Sequence, residues 1–549
     1  MLRSFRRSGW RLLARRASQG ARRAGQRARR AGQRARRAAR ALAAPAAWLA
    51  AGAFLFGCYL PISRTQPVDS DGAANALQAW DMLHGNLLLR GWRLSDVSFY
   101  TTELPQYMLV ELVRGLRPDV VHVASAITFT LLVLLAAMLA RGRHRGRAGA
   151  VRMLLAAGIM LAPQLGAGAY VLLLDPDHVG TSVPVLAAWL LLERAPRRWY
   201  LPVAVSALLA WALIADSITV IIGAAPLLAV CGARCYSGII VRRQPPGARW
   251  LELSLMAGAA LSVVTAKAVL ALIAADGGFQ VWPVRTQLAS YAALPGHALL
   301  TGQGLLLLFG ADFFGQPLSP VAALAILHLA GLALAGWATL AALRRSGRDG
   351  DLVTQVLAAA VILALAAYLL GIKAVDIHST REIAAVLPFG AVLAGRLLAG
   401  RLDAARMTPA LLVALTGYLA CLGREMSQPA RPAQGQQLAG WLAAHQLDYG
   451  LAGYWQAAST TLASQGTVQV VPVRSVQGTV YPGDWEADSS WYDPGLHTAT
   501  FVVLPPAVTG LTYLSSSDVR AAFGQPARIY QAGTYTVLVW NRNLLTGLH

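Results

Sequence analysis

Apolar runs long enough to cross a bilayer recur along nearly the whole chain, and that repetition limits what it can fold into. A helix needs roughly 20 apolar residues to span the hydrocarbon core. Eleven such runs lie at about 42–61, 119–140, 151–174, 181–193, 199–214, 217–233, 251–275, 319–343, 352–371, 382–400 and 408–423. The runs 199–214 and 217–233 are parted only by Ala215-Asp216. Composition agrees: 56% of the 549 residues are hydrophobic and 13% charged. A soluble domain carries about 25% charged residues. A water-soluble globular protein and a largely disordered chain are both excluded.

The net charge of +22 is mostly a property of one end. Residues 1–40 hold 15 Arg and no Asp, Glu or Lys; without them, 33 basic residues face 26 acidic ones. The sequence RRAGQRA occurs twice, at 22–28 and 29–35. This Arg-rich tail, 1–41, abuts the first apolar run. It is expected to lie on anionic lipid at the cytoplasmic leaflet rather than to bind nucleic acid. It lacks the short apolar core and small-residue cleavage site of a signal peptide.

With the tail inside, loop charges alternate. Inner loops hold Arg141, Arg143, Arg145, Arg147 and Arg152; then Arg194, Arg197 and Arg198; then Arg234, Arg242, Arg243 and Arg249; then Arg344, Arg345 and Arg348; and finally Arg396, Arg401 and Arg406. Acidic residues fall in the opposite loops, as the positive-inside rule requires. Eleven spans then place the C-terminal region outside. The expectation is a polytopic α-helical protein of the cell membrane. Its parts are the tail 1–41, a transmembrane domain 42–423 with a long outer loop 62–118, and an extracytoplasmic α/β domain 424–549. In that last region 435–446 and 517–523 read as helices. Thr467–Val473, Thr498–Leu504 and Thr534–Trp540 read as strands. All four Cys (Cys58, Cys231, Cys235, Cys421) lie in or beside apolar runs and imply no disulfide framework.

Candidate chemistry gathers in the outer loops. Asp69-Ser70-Asp71 opens the first loop. Two carboxylates one residue apart can ligate a divalent cation, Mg or Mn, or can act as base and orienting group. Helical spacing over Ala73–His84 follows, then a polar stretch with Tyr100 and Glu103, candidates for substrate contacts. Asp175-Pro176-Asp177-His178 is pinned between two runs. It suits metal binding, general-base work or contacts to substrate hydroxyls, or serves as a turn with Thr181 or Ser182 capping the next helix. Lys267 lies inside the seventh run, about 13 Å from its outer end; it either binds a lipid phosphate or snorkels. His378 and Arg381 open the tenth run, where Arg381 could hold a phosphate or pair with Glu382 or Asp376.

These stretches resemble the GT-C superfamily of integral-membrane glycosyltransferases, including protein O-mannosyltransferase-like and aminoarabinose-transferase-like enzymes. The residues that carry the likeness are Asp69-Ser70-Asp71, Asp175–His178, and Arg381 near Pro388-Phe389. Glu382 stands where the family has an aromatic residue. The resemblance implies inverting transfer of a sugar from a polyprenyl-phosphate carrier to a glycan, lipid or protein acceptor outside the membrane. Asp71 or Asp69 would be the base, with Asp175 or Asp177 assisting. Arg381, Lys267 and His378 would hold the donor phosphate. A transporter or flippase for a lipid-linked glycan and a non-catalytic envelope scaffold are the alternatives.

Overall fold

A computed structural model describes residues 43, 45–284, 286–315, 320–345, 350–398, 404–506 and 514–548. The Arg-rich tail lies outside the described residues. By internal contacts the chain divides into Met1–Leu55 and Phe56–His549; the helical bundle and the sheet domain belong to the second unit. Among the described residues six helices are long and apolar enough to cross a membrane. These are α1 (Pro45–Ser63), α4 (Asp119–Arg141), the helix Val220–Val241, Pro246–Ala275, and the helices ending at Arg344 and Leu370. Further helices occupy the other expected positions: α5 (Gly146–Met160), α6 (Ser182–Arg194), α7 (Tyr200–Ala215), α13 (Val386–Leu398) and α14 (Ala404–Met426). Within the spanning helices already named lie α8 (Ala225–Cys235), α9 (Trp250–Ala275), α11 (Pro320–Arg344) and α12 (Leu352–Leu370), and a further helix is α10 (Leu294–Leu308).

The uncertain pair 199–214 and 217–233 is two helices, parted at Asp216, which accepts from the backbone N–H of Ile218. An unexpected element is α10, between the apolar runs 251–275 and 319–343. It has 15 residues, interrupted by Gly296, Gly302 and Gly304, and so falls short of a spanning run. Its Gly304 backs onto Thr380, just ahead of α13.

α13 is the core of the bundle. It is buried from Val386 to Arg396 and packs on α4, α5, α11 and α12. A helix apolar on all sides has to be enclosed. Small residues let its neighbours approach: a Cβ on Gly395 would sit 2.6 Å from the Arg152 carbonyl oxygen. Arg396, read from sequence as a loop cation, is instead buried. It donates to Glu193 (2.8 Å), Asp351 (2.6 Å), Thr354 (3.0 Å) and the Leu139 carbonyl (2.9 Å), tying α4, α6, α12 and α13 together.

The loop after α1 folds into α2 (Ser70–Leu83) and α3 (Glu103–Arg114), joined through the short strand β1 (Trp92–Leu94). Asp69 is the N-cap of α2, accepting from Gly72 N–H at 3.3 Å. The C-terminal region holds α15 (Gln436–Ala444), α16 (Tyr454–Ala463) and α17 (Ser516–Phe523). Its mixed sheet has the order β5-β4-β3-β7-β9-β8, built from β3 (Tyr449–Ala452), β4 (Gln469–Val476), β5 (Thr479–Pro482), β7 (Phe501–Leu504), β8 (Arg528–Ala532) and β9 (Tyr535–Val539). The three strands and two helices read from sequence are all present, with ends moved by a few residues.

Two seams join this sheet domain to the first loop. Ala458 and Leu462 of α16 share a buried core with Val68, Ala73, Ala74 and Ala76. A three-stranded ribbon links β2 (Gln280–Val281), β1 and β6 (Ala487–Asp488), with Trp92 opposite Asp488 and Arg93 opposite Ala487.

Candidate active site

The first turn of α2 sets the site. Helical geometry turns successive residues by about 100°, so Asp69 at the cap and Asp71 in the first turn point to different partners. Asp69 accepts from the Tyr170 hydroxyl at 2.8 Å as well as from Gly72 N–H. Tyr170 stands at the head of a turn of π-helix, Tyr170–Leu174, that ends the region read as the third span. Asp71 is held from two sides. Arg381 donates to Oδ2 at 3.1 Å, and the Tyr454 hydroxyl, from the sheet domain, donates to Oδ1 at 2.6 Å. Glu486 Oε2 lies 3.3 Å from that same hydroxyl. Gly72 permits the close approach behind this turn: a Cβ there would meet Val121 at 2.8 Å and Asp175 at 3.4 Å.

The Asp175–His178 segment forms the next wall. Asp177 accepts from the Asn75 amide at 2.8 Å, and its own N–H donates to Asp175 at 3.2 Å. Asn75 Oδ1 is buried with no partner among the described residues. The Arg381 guanidinium interacts electrostatically with Asp71, Asp177 and Asp175. Three stretches that are remote in sequence therefore meet.

A single guanidinium among five buried acids leaves most of them under-compensated. Burial, then the neighbouring Asp71 charge, pushes Asp69 up to about 6. Burial raises Asp175 and Asp177 well above the usual carboxylate range, with Asp177 adding to the effect on Asp175. Burial and Asp71 push Glu486 up to about 8. Groups shifted this far by desolvation and neighbouring charge single this cluster out as the candidate site.

His178 does not join that cluster. Its backbone is left-handed (φ 55°), a conformation that costs roughly 1–2 kcal/mol. Nδ1 lies 2.8 Å from Asp216 Oδ2, which also accepts from the Thr181 hydroxyl at 2.9 Å. Thr181 therefore serves Asp216 and makes no side-chain cap on α6. Burial alone would lower His178, but the Asp216 charge, with Glu382, outweighs it and lifts the imidazole to about 9. His178 in turn helps to hold Asp216 below the usual carboxylate range against its burial.

The other expected residues divide. Glu103 is buried, accepts from the Thr102 hydroxyl, and leaves Oε1 against Gly180 without a hydrogen-bond partner among the described residues. Burial pushes it up to about 8. His378 packs on the Tyr170 ring (centroids 4.3 Å apart), beside the cluster. Tyr100 donates to the Leu87 carbonyl at 2.9 Å and packs on Phe279, so its hydroxyl is committed to the loop's own fold. Lys267 is exposed on α9, near exposed Leu261, Val264 and Leu272, and is not drawn into the network. Asp376 accepts from Ser379 N–H, and Glu382 lies 3.4 Å from Lys373, so neither takes Arg381 as a partner.

The Asp69–Asp71 pair is engaged by protein donors. Both oxygens of each carboxylate already accept hydrogen bonds. Among the described residues no three His, Cys, Asp or Glu side chains gather as ligands.

Sequence reasoning missed Tyr170, Tyr454, Glu486, Asn75 and Asp216. Asp216 carried a readable signal, a lone carboxylate in a two-residue gap between apolar runs. Glu486 stands beside Trp485, a carboxylate among the rings of the stretch 481–492.

No protein-family model matches the chain, and no curated protein does. Among solved structures, ArnT from Cupriavidus metallidurans bound to undecaprenyl phosphate matches with a TM-score of 0.51 and 12% identity, over 90% of this chain and 97% of that one. The same ArnT in the apo state gives 0.50 and 12%, over 93% and 99%. The chain shares its fold with this ArnT. The Archaeoglobus fulgidus oligosaccharyltransferase, crystallised with Zn and sulfate, also matches, at 0.50 and 12% identity, over 84% of this chain and 68% of that one.

Proposed function

We propose that this protein is a membrane glycosyltransferase that takes a sugar from a polyprenyl-phosphate carrier and passes it, with inversion, to an acceptor hydroxyl outside the membrane. The observation that carries the reading is the placement of Asp71 between the Arg381 guanidinium and the Tyr454 hydroxyl, in a pocket of protonatable acids. Undecaprenyl phosphate bound to the similarly folded ArnT supports a polyprenyl donor.

Asp71 is the base. A sugar phosphodiester already has a good leaving group, so the enzyme has to align an acceptor hydroxyl, remove its proton and neutralise the departing phosphate. In the resting arrangement Arg381 and Asp71 neutralise each other. The donor phosphate attracts the guanidinium, which leaves the Asp71 carboxylate free to take a proton. Tyr454 keeps that carboxylate aimed, and Asn75 Oδ1 offers an acceptor for a substrate hydroxyl. Asp69 caps α2 and supports the base without touching the reacting atoms.

The test is transfer from radiolabelled polyprenyl-phosphate sugars by purified protein in nanodiscs. Asp71→Asn is expected to lower the rate by about 100-fold or more, the range of lost general-base catalysis. Asp69→Asn is expected to lose less. Full activity of Asp71→Asn, or no transfer by the wild type from any donor, overturns the reading.

A further inference from the structure

A half-open cavity of about 340 Å³ lies on the outer face of the β1–β6 ribbon. Its wall is built by Arg93, Arg474, Tyr481, Asp484, Ser489 and Tyr492. Its volume falls within the usual range of about 300–1,000 Å³ for small-molecule sites. The register explains how it forms. Arg93 and Ala487 are directly opposed on the paired strands, and both line the cavity. Side chains alternate along a strand, so the flanking residues face the other way. Trp92 and Leu94 are buried there, and Glu486 reaches Tyr454. The cavity and the acidic cluster are thus separated by a single backbone layer.

The lining is chemically specific. Arg474 lies over the Tyr481 ring, 5.5 Å from its centroid, and pairs with Asp484 at 3.3 Å. Its fork is held in place before any ligand arrives. Arg93 has no ion-pair partner among the described residues. The Tyr492 hydroxyl donates to the Pro472 carbonyl (2.5 Å) and accepts from Gly483 N–H (3.1 Å), which fixes its ring. A fixed ring offers a flat apolar face, as a pyranose does, and paired guanidinium groups suit carboxylates bidentately. A neutral sugar would leave Arg93 unanswered. A bare inorganic anion would leave the tyrosine wall empty.

We propose that this cavity is a subsite for an acidic glycan, a chain whose sugars carry carboxylates, and that it holds the body of the acceptor one backbone layer from the reacting centre. The proposal deepens the transferase reading and rests on it for the word acceptor.

Binding by full-length protein in nanodiscs, followed calorimetrically, tests it with trigalacturonate, its neutral counterpart maltotriose, and inorganic phosphate. Trigalacturonate is expected to bind at least tenfold tighter than maltotriose. Arg93→Gln and Arg474→Gln are each expected to weaken it about tenfold. Ser489→Trp fills the cavity without removing charge and is expected to abolish binding while the melting temperature holds. Asp71→Asn is expected to bind like wild type, which separates failure of the chemistry from failure of the subsite. Equal binding of maltotriose overturns the proposal. So does retention of binding in Ser489→Trp, or displacement of trigalacturonate by phosphate at comparable concentration.

Discussion

Among the described residues the Tyr454 hydroxyl is the group of the sheet domain that hydrogen-bonds Asp71. A hydrogen bond to a charged acceptor is worth about 1.5–3 kcal/mol. Tyr454→Phe removes it and preserves the ring's packing against Trp455. The turnover number is expected to fall roughly 10- to 100-fold, since each 1.4 kcal/mol is tenfold, with KM for the donor little changed. Single-turnover transfer measures this directly, and an unchanged rate would leave Tyr454 with a packing role only. At this scale the sequence was partly legible. The Asp69–Asp71 pair, the Asp175–His178 segment and Arg381 stand out because charge is rare beside apolar runs. Which aspartate did what was not legible, because that depends on the cap of α2 and on two phenols 101 and 383 positions away.

Elements were legible where a periodicity repeats and obscure where packing decides. α13 reads as a short apolar run, yet it is the enclosed helix of the bundle, and Arg396 is its anchor. Removing one partner of a buried ion-pair network costs about 3–5 kcal/mol. Arg396→Met is expected to lower the melting temperature steeply. Arg396→Lys is expected to rescue little, because a point charge cannot serve Glu193, Asp351, Thr354 and the Leu139 carbonyl together. Near-normal melting of either variant would contradict this. The 176–181 turn makes a separate prediction about pH. His178 is lifted from 6.5 to about 9 in the folded protein, so its contribution is complete below about 6.5 and is lost as pH rises through 9. Glu103 and Glu486, lifted to about 8, act in the same direction, because the folded state keeps protons that the unfolded chain has already released. Stability is therefore expected to fall from pH 6 to 9.5, on the order of 3 kcal/mol for His178 at most. Thermal melting across that range checks the slope. Asp216→Asn should flatten the part above pH 7, and an unaltered slope in that variant would remove His178 from the account.

For the whole molecule, charge is segregated between the two ends of the bundle. The acid cluster, the β1–β6 ribbon and the sheet domain gather at one end of the bundle. The Arg-rich connections at 141–147 and 194–198 join the other ends of the same helices. Sequence made this polarity legible through the alternation of loop charges. It did not make legible that the first loop and the C-terminal domain form one body, because the shared core of Ala73, Ala74, Ala458 and Leu462 has no local pattern. If the sheet end faces outward, a lipid-linked donor and an outside acceptor can meet at Asp71 without either crossing the bilayer. Cysteine labelling in intact cells tests the polarity. The four native thiols are buried, so background is low. Arg528→Cys, exposed on β8, is expected to react with a membrane-impermeant maleimide. Arg198→Cys, in the connection between α6 and α7, is expected to react only after permeabilisation. The reverse pattern would put the Asp71 carboxylate in the cytosol, where neither the basic connections nor the proposed acceptor chemistry belongs.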